Sequence, residues 1–412
     1  MRSAKAALVV FAAFLPILIF TTGARVEPVW VGTWAASQQI PEPQNSLPPA
    51  DLTNATLRQI VHLSVGGNTF RVRVSNAFGT QPLLFSSVHI ARALTAGSSS
   101  AIDPATDRAV TFNGSPSVVV PAGAEYISDP VQMELPALSS LAITIYFTDP
   151  PARETGHPGS RATSYYVHGN QVSAPTLANA QTIDHWYNIS GVDVLAPPDA
   201  GAIVALGDSI TDGHATTTNG NDRWTDDLAA RLQASPERPD VSILNEGIGG
   251  NCILTQCLGP NALARFDRDV LAQTGVRWLI VFEGVNDLGS LTIHGPMPAA
   301  AHQELVQRIL GAYQQIITRA HAHGILVYGA TITPFAGSGF YHPDAATLAD
   351  LDTINAWIRA PGHFDAVLDF NKVLADPADP ERLNPAWDSG DHLHPNPAGY
   401  RALADSIPLN LF

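Results

Sequence analysis

Residues 195–212, LAPPDAGAIVALGDSITD, contain the point at which the chain changes character. A Pro-rich turn, Leu195-Ala-Pro-Pro-Asp-Ala-Gly201, opens onto the apolar run 202–206, which stops at Gly207-Asp208-Ser209. A short, continuous apolar run bounded by turn residues reads as a strand buried on both faces, as in parallel sheets. Similar runs recur at 242–244, 278–282, 325–330 and 366–370, with helical stretches between them, the clearest over 299–323. Strand alternating with helix predicts an α/β unit, a parallel sheet covered by helices on both faces, over residues 197–412. In such sheets chemistry gathers at the carboxyl ends of the strands.

Upstream the rhythm differs. Phe70-Arg-Val-Arg-Val-Ser75 alternates apolar and polar residues with period two, as a half-buried strand should. It follows Ile60-Val-His-Leu-Ser-Val65 across Gly66-Gly67-Asn68, which predicts a hairpin. Further β-rich runs lie at 83–90, 117–120, 141–147 and 163–167, punctuated by Pro and Gly. Residues 25–196 are therefore expected to form an all-β sandwich or jelly-roll-like domain. Its aromatics Tyr165, Tyr166, Trp186 and Tyr187 read first as core residues and second as stacking faces for sugars.

The first residues read as an address. Arg2 and Lys5 precede an apolar run from Ala6 to Phe20, and Thr22 and Ala24 set small residues before a cut after Ala24. This is the three-part pattern of a secretory signal peptide over residues 1–24. The run is short for a bilayer and Pro16 interrupts it, which argues against an anchor. The expectation is a secreted protein, extracellular or periplasmic, with no stable membrane insertion after cleavage.

Composition narrows the partners. Asp and Glu outnumber Lys and Arg 37 to 22, giving a formal charge of −15, the wrong sign for a nucleic-acid surface. At 412 residues the chain can build a real core, and 2 cysteines exclude both a disulfide scaffold and a cysteine-built zinc cluster. Cys252 and Cys257 are close in sequence, and in an exported protein they are expected to pair. Such a bridge would brace the residues after Gly250. The sequence leaves the oligomeric state open.

Four polar clusters stand out in the second half. Gly207-Asp208-Ser209 puts a serine on a strand-to-helix turn, where it is a nucleophile or merely a helix cap. Asn245-Glu-Gly-Ile-Gly-Gly250 offers unobstructed amides or an ordinary turn. Gly284-Val-Asn286-Asp287 offers a side-chain amide that could donate to an oxyanion or cap a helix. Asp391-His-Leu-His394 places a carboxylate three residues before an imidazole, so that one can fix the tautomer of the other. His394 is preferred to His392, which adjoins Asp391 too closely to reach both partners. A metal is the rival reading of this loop, but no second His/Asp/Glu cluster completes a site, and none is expected.

Taken in order, the four blocks resemble the SGNH (GDSL-type) serine hydrolase superfamily. That resemblance implies a flavodoxin-like three-layer α/β/α domain, Ser209 as nucleophile, His394 as general base and acid, and Asp391 as its orienting carboxylate. The oxyanion hole it implies comprises the backbone N–H groups of Ser209 and Gly250 and the side chain of Asn286. Gly249 and Gly250 are adjacent, and Gly250 fits the Asn-x-x-x-x-Gly spacing from Asn245. No cofactor is implied. Two further stretches, Trp30-Val-Gly-Thr-Trp-Ala-Ala-Ser37 and Ala264-Arg-Phe-Asp-Arg-Asp-Val-Leu271, resemble a secreted two-domain branch grouped with xylan and other plant-polysaccharide esterases. The expected activity is hydrolysis of short acyl esters, acetyl above all, on a substrate such as an acetylated polysaccharide. A lipase or lysophospholipase with the same machinery and an inactive carbohydrate-binding or adhesion protein are the alternatives.

Overall fold

The computed structural model describes residues 27–95 and 97–412. The expected signal peptide lies outside the described residues.

Five parallel strands, Gly201–Gly207, Val241–Gly247, Val276–Phe282, Leu326–Ala330 and Ala366–Leu368, form one sheet. Their spatial order is 2-1-3-4-5 in chain order, the flavodoxin-like arrangement. Every residue of Gly201–Gly207 is buried, which is why this strand reads as an unbroken apolar run. The long helix Ala299–Ala322 buries Val306, Ile309, Tyr313, Ile316 and Ala320, a stripe at helical spacing. The strand order reverses beside the first strand, so the loops after strands one, two and three converge at their carboxyl ends.

The first half is built on two antiparallel sheets of five and six strands, with two further two-stranded sheets among the described residues. Their inward residues, among them Leu57, Val61, Val72, Val74, Ile143 and Val192, belong to one core. The expected hairpin at Gly66-Gly67-Asn68 does not form. Ala55–His62 pairs within the six-stranded sheet, whereas Gly67–Ser75 pairs within the five-stranded one. Between them the chain crosses from sheet to sheet, with Leu63 N–H donating to Ser139 O and Ser64 N–H to Thr33 O. Gly66 is required there because a Cβ would stand 2.4 Å from the backbone of Leu135 and Ala137. Its glycines mark a close backbone crossing, not a tight turn.

The polar face of Gly67–Ser75 also turns away from water. Arg71 and Arg73 both pair with Asp193, at 2.8 and 3.2 Å, and Arg73 continues to the Ala272 carbonyl of the α/β half. The two halves meet along the free edge of Val241–Gly247, where Ile243 N–H donates to Ser64 Oγ and the Leu244 side chain packs over Gly32. Tyr165, Trp186 and Tyr187 are buried, with the Trp186 indole donating to the Ile60 carbonyl, so three of the four aromatics considered for sugar stacking are core. Among the described residues no helix is long and apolar enough to cross a membrane.

Candidate active site

Gly201–Gly207 ends in the turn that delivers Asp208 and Ser209. The Asp208 carboxylate accepts the Ile210 N–H at 2.9 Å and caps the short helix Ser209–Asp212. Ser209 is therefore the first helical residue, and its own N–H has no partner within the helix. At the far end of the chain, Asp391 sits on a loop locked before the helix Pro397–Ser406, which Asn396 caps through the Gly399 N–H at 3.0 Å. Asp391 Oδ1 accepts the backbone N–H groups of Leu393 and His394 at 2.9 and 2.8 Å, and Oδ2 meets His394 Nδ1 at 2.6 Å. The three-residue spacing lets one carboxylate hold both the backbone and the ring of His394. His394 Nε2 then lies 2.8 Å from Ser209 Oγ.

Burial alone would raise the Asp391 carboxyl, but the ring and backbone N–H groups of His394 hold it well below the usual carboxylate range. It is an anion beside the imidazole. His392 points elsewhere: it is half exposed and its Nδ1 meets Asp388 Oδ2 at 2.5 Å.

Gly249, Gly250 and Asn286 line the same cleft as Ser209. Gly249 and Gly250 differ in a way the sequence does not show. Gly249 N–H donates to Asp212 Oδ2 at 2.9 Å, while the Gly250 N–H has no partner among the described residues. Gly250 has φ +70°, a conformation open to glycine at little cost. The Asn286 amide donates one N–H to the Asn251 carbonyl at 2.6 Å and accepts the Tyr341 hydroxyl at 2.5 Å, which fixes its orientation and leaves a second N–H. Burial pushes the Tyr341 phenol up, so it remains a donor. Cys252 and Cys257 form a disulfide, and Asp287 holds the same loop by accepting the N–H groups of Ile253 and Leu254 at 2.8 and 3.1 Å.

Four residues that sequence reasoning passed over support this arrangement. Tyr341 and Asp212 are two. His214 lies beside His394, ring centroids 4.0 Å apart, and accepts from Arg161 at Nδ1. Its ring is partly open to solvent, yet the desolvation it does suffer, then the neighbouring His394 and Arg161, depress it to about 4, so it stays neutral. Arg265, 1% exposed, reaches Asn251 Oδ1 at 3.0 Å, Ser37 Oγ at 2.7 Å, the Glu246 carbonyl at 2.6 Å and the Gly207 carbonyl at 2.9 Å. It ties together the loops after strands one and two. The only sequence signal for it was its place in the stretch 264–271.

His214, Asp391 and His394 could offer a metal three ligand atoms within 4.8 Å of one another. Both His394 nitrogens are committed to Ser209 and Asp391, so a metal there would replace those bonds.

Buried carboxyls surround the site. Burial lifts Asp208 to about 7 and Asp287 to about 6. Burial, with neighbouring acids, lifts Glu246 and Glu283 well above their ordinary range. The native protein thus binds these protons more tightly than the unfolded chain, so their contribution to stability is full only below the ordinary carboxylate range of about 4 and is lost as pH rises, through about 6 for Asp287 and about 7 for Asp208. Asp391 and Asp212 act in the opposite sense, losing their contribution only below about pH 4, and the depressed His214 also opposes the four raised carboxyls as pH falls from about 6.5. The melting temperature should therefore be higher at pH 5 than at pH 8. Equal values by scanning calorimetry would contradict this balance.

The site opens into a cleft of about 690 Å³. Ser209, Gly250, Asn286 and His394 line it from the α/β half; Gln39, Glu42, Asn45, Arg161 and His185 line it from the β-rich half.

Residues 205–402 match the GDSL-like Lipase/Acylhydrolase family. No curated protein matches the chain. Solved structures to which it is similar include a member of the lipolytic protein G-D-S-L family from Veillonella parvula, at 19% identity, 50% of this chain, 96% of that one and a TM-score of 0.37. An acetyl xylan esterase from Geobacillus stearothermophilus gives 20% identity, 50% and 94% coverage and a TM-score of 0.38. A GDSL-like lipase from Bacteroides thetaiotaomicron gives 19%, 50%, 85% and 0.36. Over residues 205–402, a little under half of its length, the chain is thus similar to the GDSL-like lipase/acylhydrolase family, and the domain there is that of a carboxylic ester hydrolase.

Proposed function

We propose that the protein is an exported serine esterase that removes short acyl groups, acetyl above all, from a polyhydroxylated alcohol such as a polysaccharide. One observation carries the mechanism: the unbroken chain Ser209 Oγ, His394, Asp391, with contacts of 2.8 and 2.6 Å. Ser209 attacks the ester carbonyl carbon while His394 Nε2 takes its proton. The carbonyl oxygen becomes an oxyanion facing the N–H groups of Ser209, Gly250 and Asn286. The tetrahedral intermediate collapses, His394 protonates the departing alcohol, and the acyl group stays on Ser209. Water, deprotonated by the same histidine, then releases the acid. Asp391 holds the imidazole in the required tautomer and balances its charge.

The substrate reading is supported by the cleft wall from the β-rich half. Gln39, Glu42, Asn45, Arg161 and His185 offer hydrogen-bonding groups to a hydroxyl-rich leaving alcohol. Export is supported by the pattern of residues 1–24 and by the disulfide. Two measurements test the proposal. A fluorophosphonate should label Ser209 alone on peptide mapping. Turnover of acyl esters should fall as the chain lengthens beyond a few carbons, with acetate released from acetylated xylan. Preference for long acyl chains would replace this reading with a lipase.

A further inference from the structure

A segment of the β-rich half reaches across to the loop that carries Gly250. His157 is buried at the boundary, with Nδ1 2.8 Å from the Ser37 carbonyl oxygen and Nε2 3.0 Å from Asp212 Oδ1. The other oxygen of Asp212 accepts the Gly249 N–H at 2.9 Å. A carbonyl and a carboxylate only accept hydrogen bonds, so both ring nitrogens of His157 donate and the ring is an imidazolium. Burial by itself would raise the Asp212 carboxyl, but the charge and hydrogen bond of His157, with Arg161 and Arg223, hold it below its ordinary value. The two form a buried ion pair spanning the halves.

The surroundings leave this pair little freedom. Trp186 stacks on the His157 ring with centroids 5.6 Å apart, and Trp34 meets Trp186 edge-on at 4.9 Å. Arg223 Nε donates to the Asp212 carbonyl at 2.8 Å, which fixes its backbone. A Cβ on Gly159 would stand 1.8 Å from Asp212 Oδ2, so only glycine lets the 156–160 segment come this close. A buried ion pair contributes little to stability compared with apolar packing of the same shape. Its geometry does something apolar packing could not: it presents a fixed acceptor to the amide of Gly249.

We infer that His157 is a positioning residue for the oxyanion hole, holding Asp212 so that Asp212 anchors Gly249 and aims the neighbouring Gly250 N–H at the reacting carbonyl. The β-rich half thereby takes part in turnover without touching the ester. A donor displaced by about 1 Å is enough to cost about a hundredfold in rate, whereas substrate affinity depends on other contacts. The inference rests on the serine esterase reading above.

The test uses the full-length protein and 4-nitrophenyl acetate, with Ser209→Ala assayed alongside. His157→Ala and Asp212→Ala should each lower kcat by about ten- to a hundredfold, with KM within about twofold of wild type. Because the two act in series, the double variant should lose no more than Asp212→Ala alone. The acid limb of the kcat/KM profile, which reports His394, should stay in place. Asp212→Asn should recover most of the loss seen in Asp212→Ala, because its amide oxygen can accept from Gly249 while its nitrogen donates to a neutral His157. A folded His157→Ala with kcat within about twofold of wild type would overturn the inference, as would multiplying losses in the double variant or a parallel rise in KM. If His157→Ala does not fold, Asp212→Asn against Asp212→Ala decides by the same kcat comparison: recovery supports the anchor and equal loss overturns it. Undiminished turnover by Ser209→Ala would remove the underlying reading, an outcome distinguishable because it involves the nucleophile alone.

Discussion

Ser209→Ala should lower ester turnover by about 10⁴-fold or more while leaving the protein folded. The size follows from the mechanism. Without the hydroxyl no acyl-enzyme forms, and the residual rate is what the oxyanion donors and the cleft can coax from water. His394→Ala should fall almost as far, since an unassisted serine is a poor nucleophile at neutral pH. The double variant should be no worse than either single one, because the pair acts as a unit. Asp391→Asn leaves the loop in place but removes the carboxylate that accepts from His394 Nδ1 at 2.6 Å, and should cost about 10²- to 10⁴-fold. His392→Ala is the internal control, since its ring is turned to Asp388 at 2.5 Å; turnover should stay within about twofold. Wild-type turnover by Ser209→Ala would sink the mechanism outright. Equal losses at His392 and His394 would show that the loop as a whole, not one ring, carries the effect.

The largest loss of stability should come from Arg265→Met, a residue with no role in the chemistry itself. Its guanidinium is fully buried and bonds two carbonyls, an amide oxygen and a hydroxyl, and it pairs with Asp269 at 3.2 Å. Methionine fills much of the volume but satisfies none of those acceptors. Removing one partner of a buried charged network typically costs about 3–5 kcal/mol, a large part of the roughly 5–15 kcal/mol that holds a domain together. The neighbouring acids aggravate the loss. Ser37 Oγ lies 2.7 Å from Glu246 and 2.9 Å from Asp269, and one hydroxyl proton can serve only one of them. Burial and the charge of Asp269 push the Glu246 carboxyl up, so a protonated Glu246 donates to Ser37 and Ser37 donates to Asp269. Without Arg265, Asp269 retains only Arg268 as a cationic partner among the described residues. Denaturant titration should show the lower midpoint. An unchanged midpoint would mean that these bonds are replaceable by packing.

The parts of this molecule legible in sequence are those whose cause is local. The first two parallel strands announce themselves because both faces are buried, and Asp391 stands near His394 because three residues of one loop separate them. Asp212, Arg265 and Tyr341 have no such local cause. The contacts that give them their place in the site reach 37, 58 and 55 residues along the chain, to Gly249, Gly207 and Asn286, and nothing in the flanking residues distinguishes a buried Asp or Arg from a solvated one. The failed hairpin has the same origin. Gly66-Gly67-Asn68 records that the backbone must bend, but which strand each arm joins is decided by residues as distant as Leu141 and Val192. The choice between Gly249 and Gly250 likewise depends on which amide Asp212 consumes, a fact of tertiary contact.

The free edge of Val241–Gly247 has a practical consequence. In the whole chain that edge is met by Ser64 and Gly32. Cutting the chain at the Pro-rich turn, the natural place to trim it, would leave a bare strand edge and strip the cover from Leu244. Bare edges recruit other strands, so the excised hydrolase unit would be prone to self-association and precipitation. For anyone producing or re-engineering this enzyme, the β-rich half is a built-in solubility partner and cannot be discarded as a dispensable appendage.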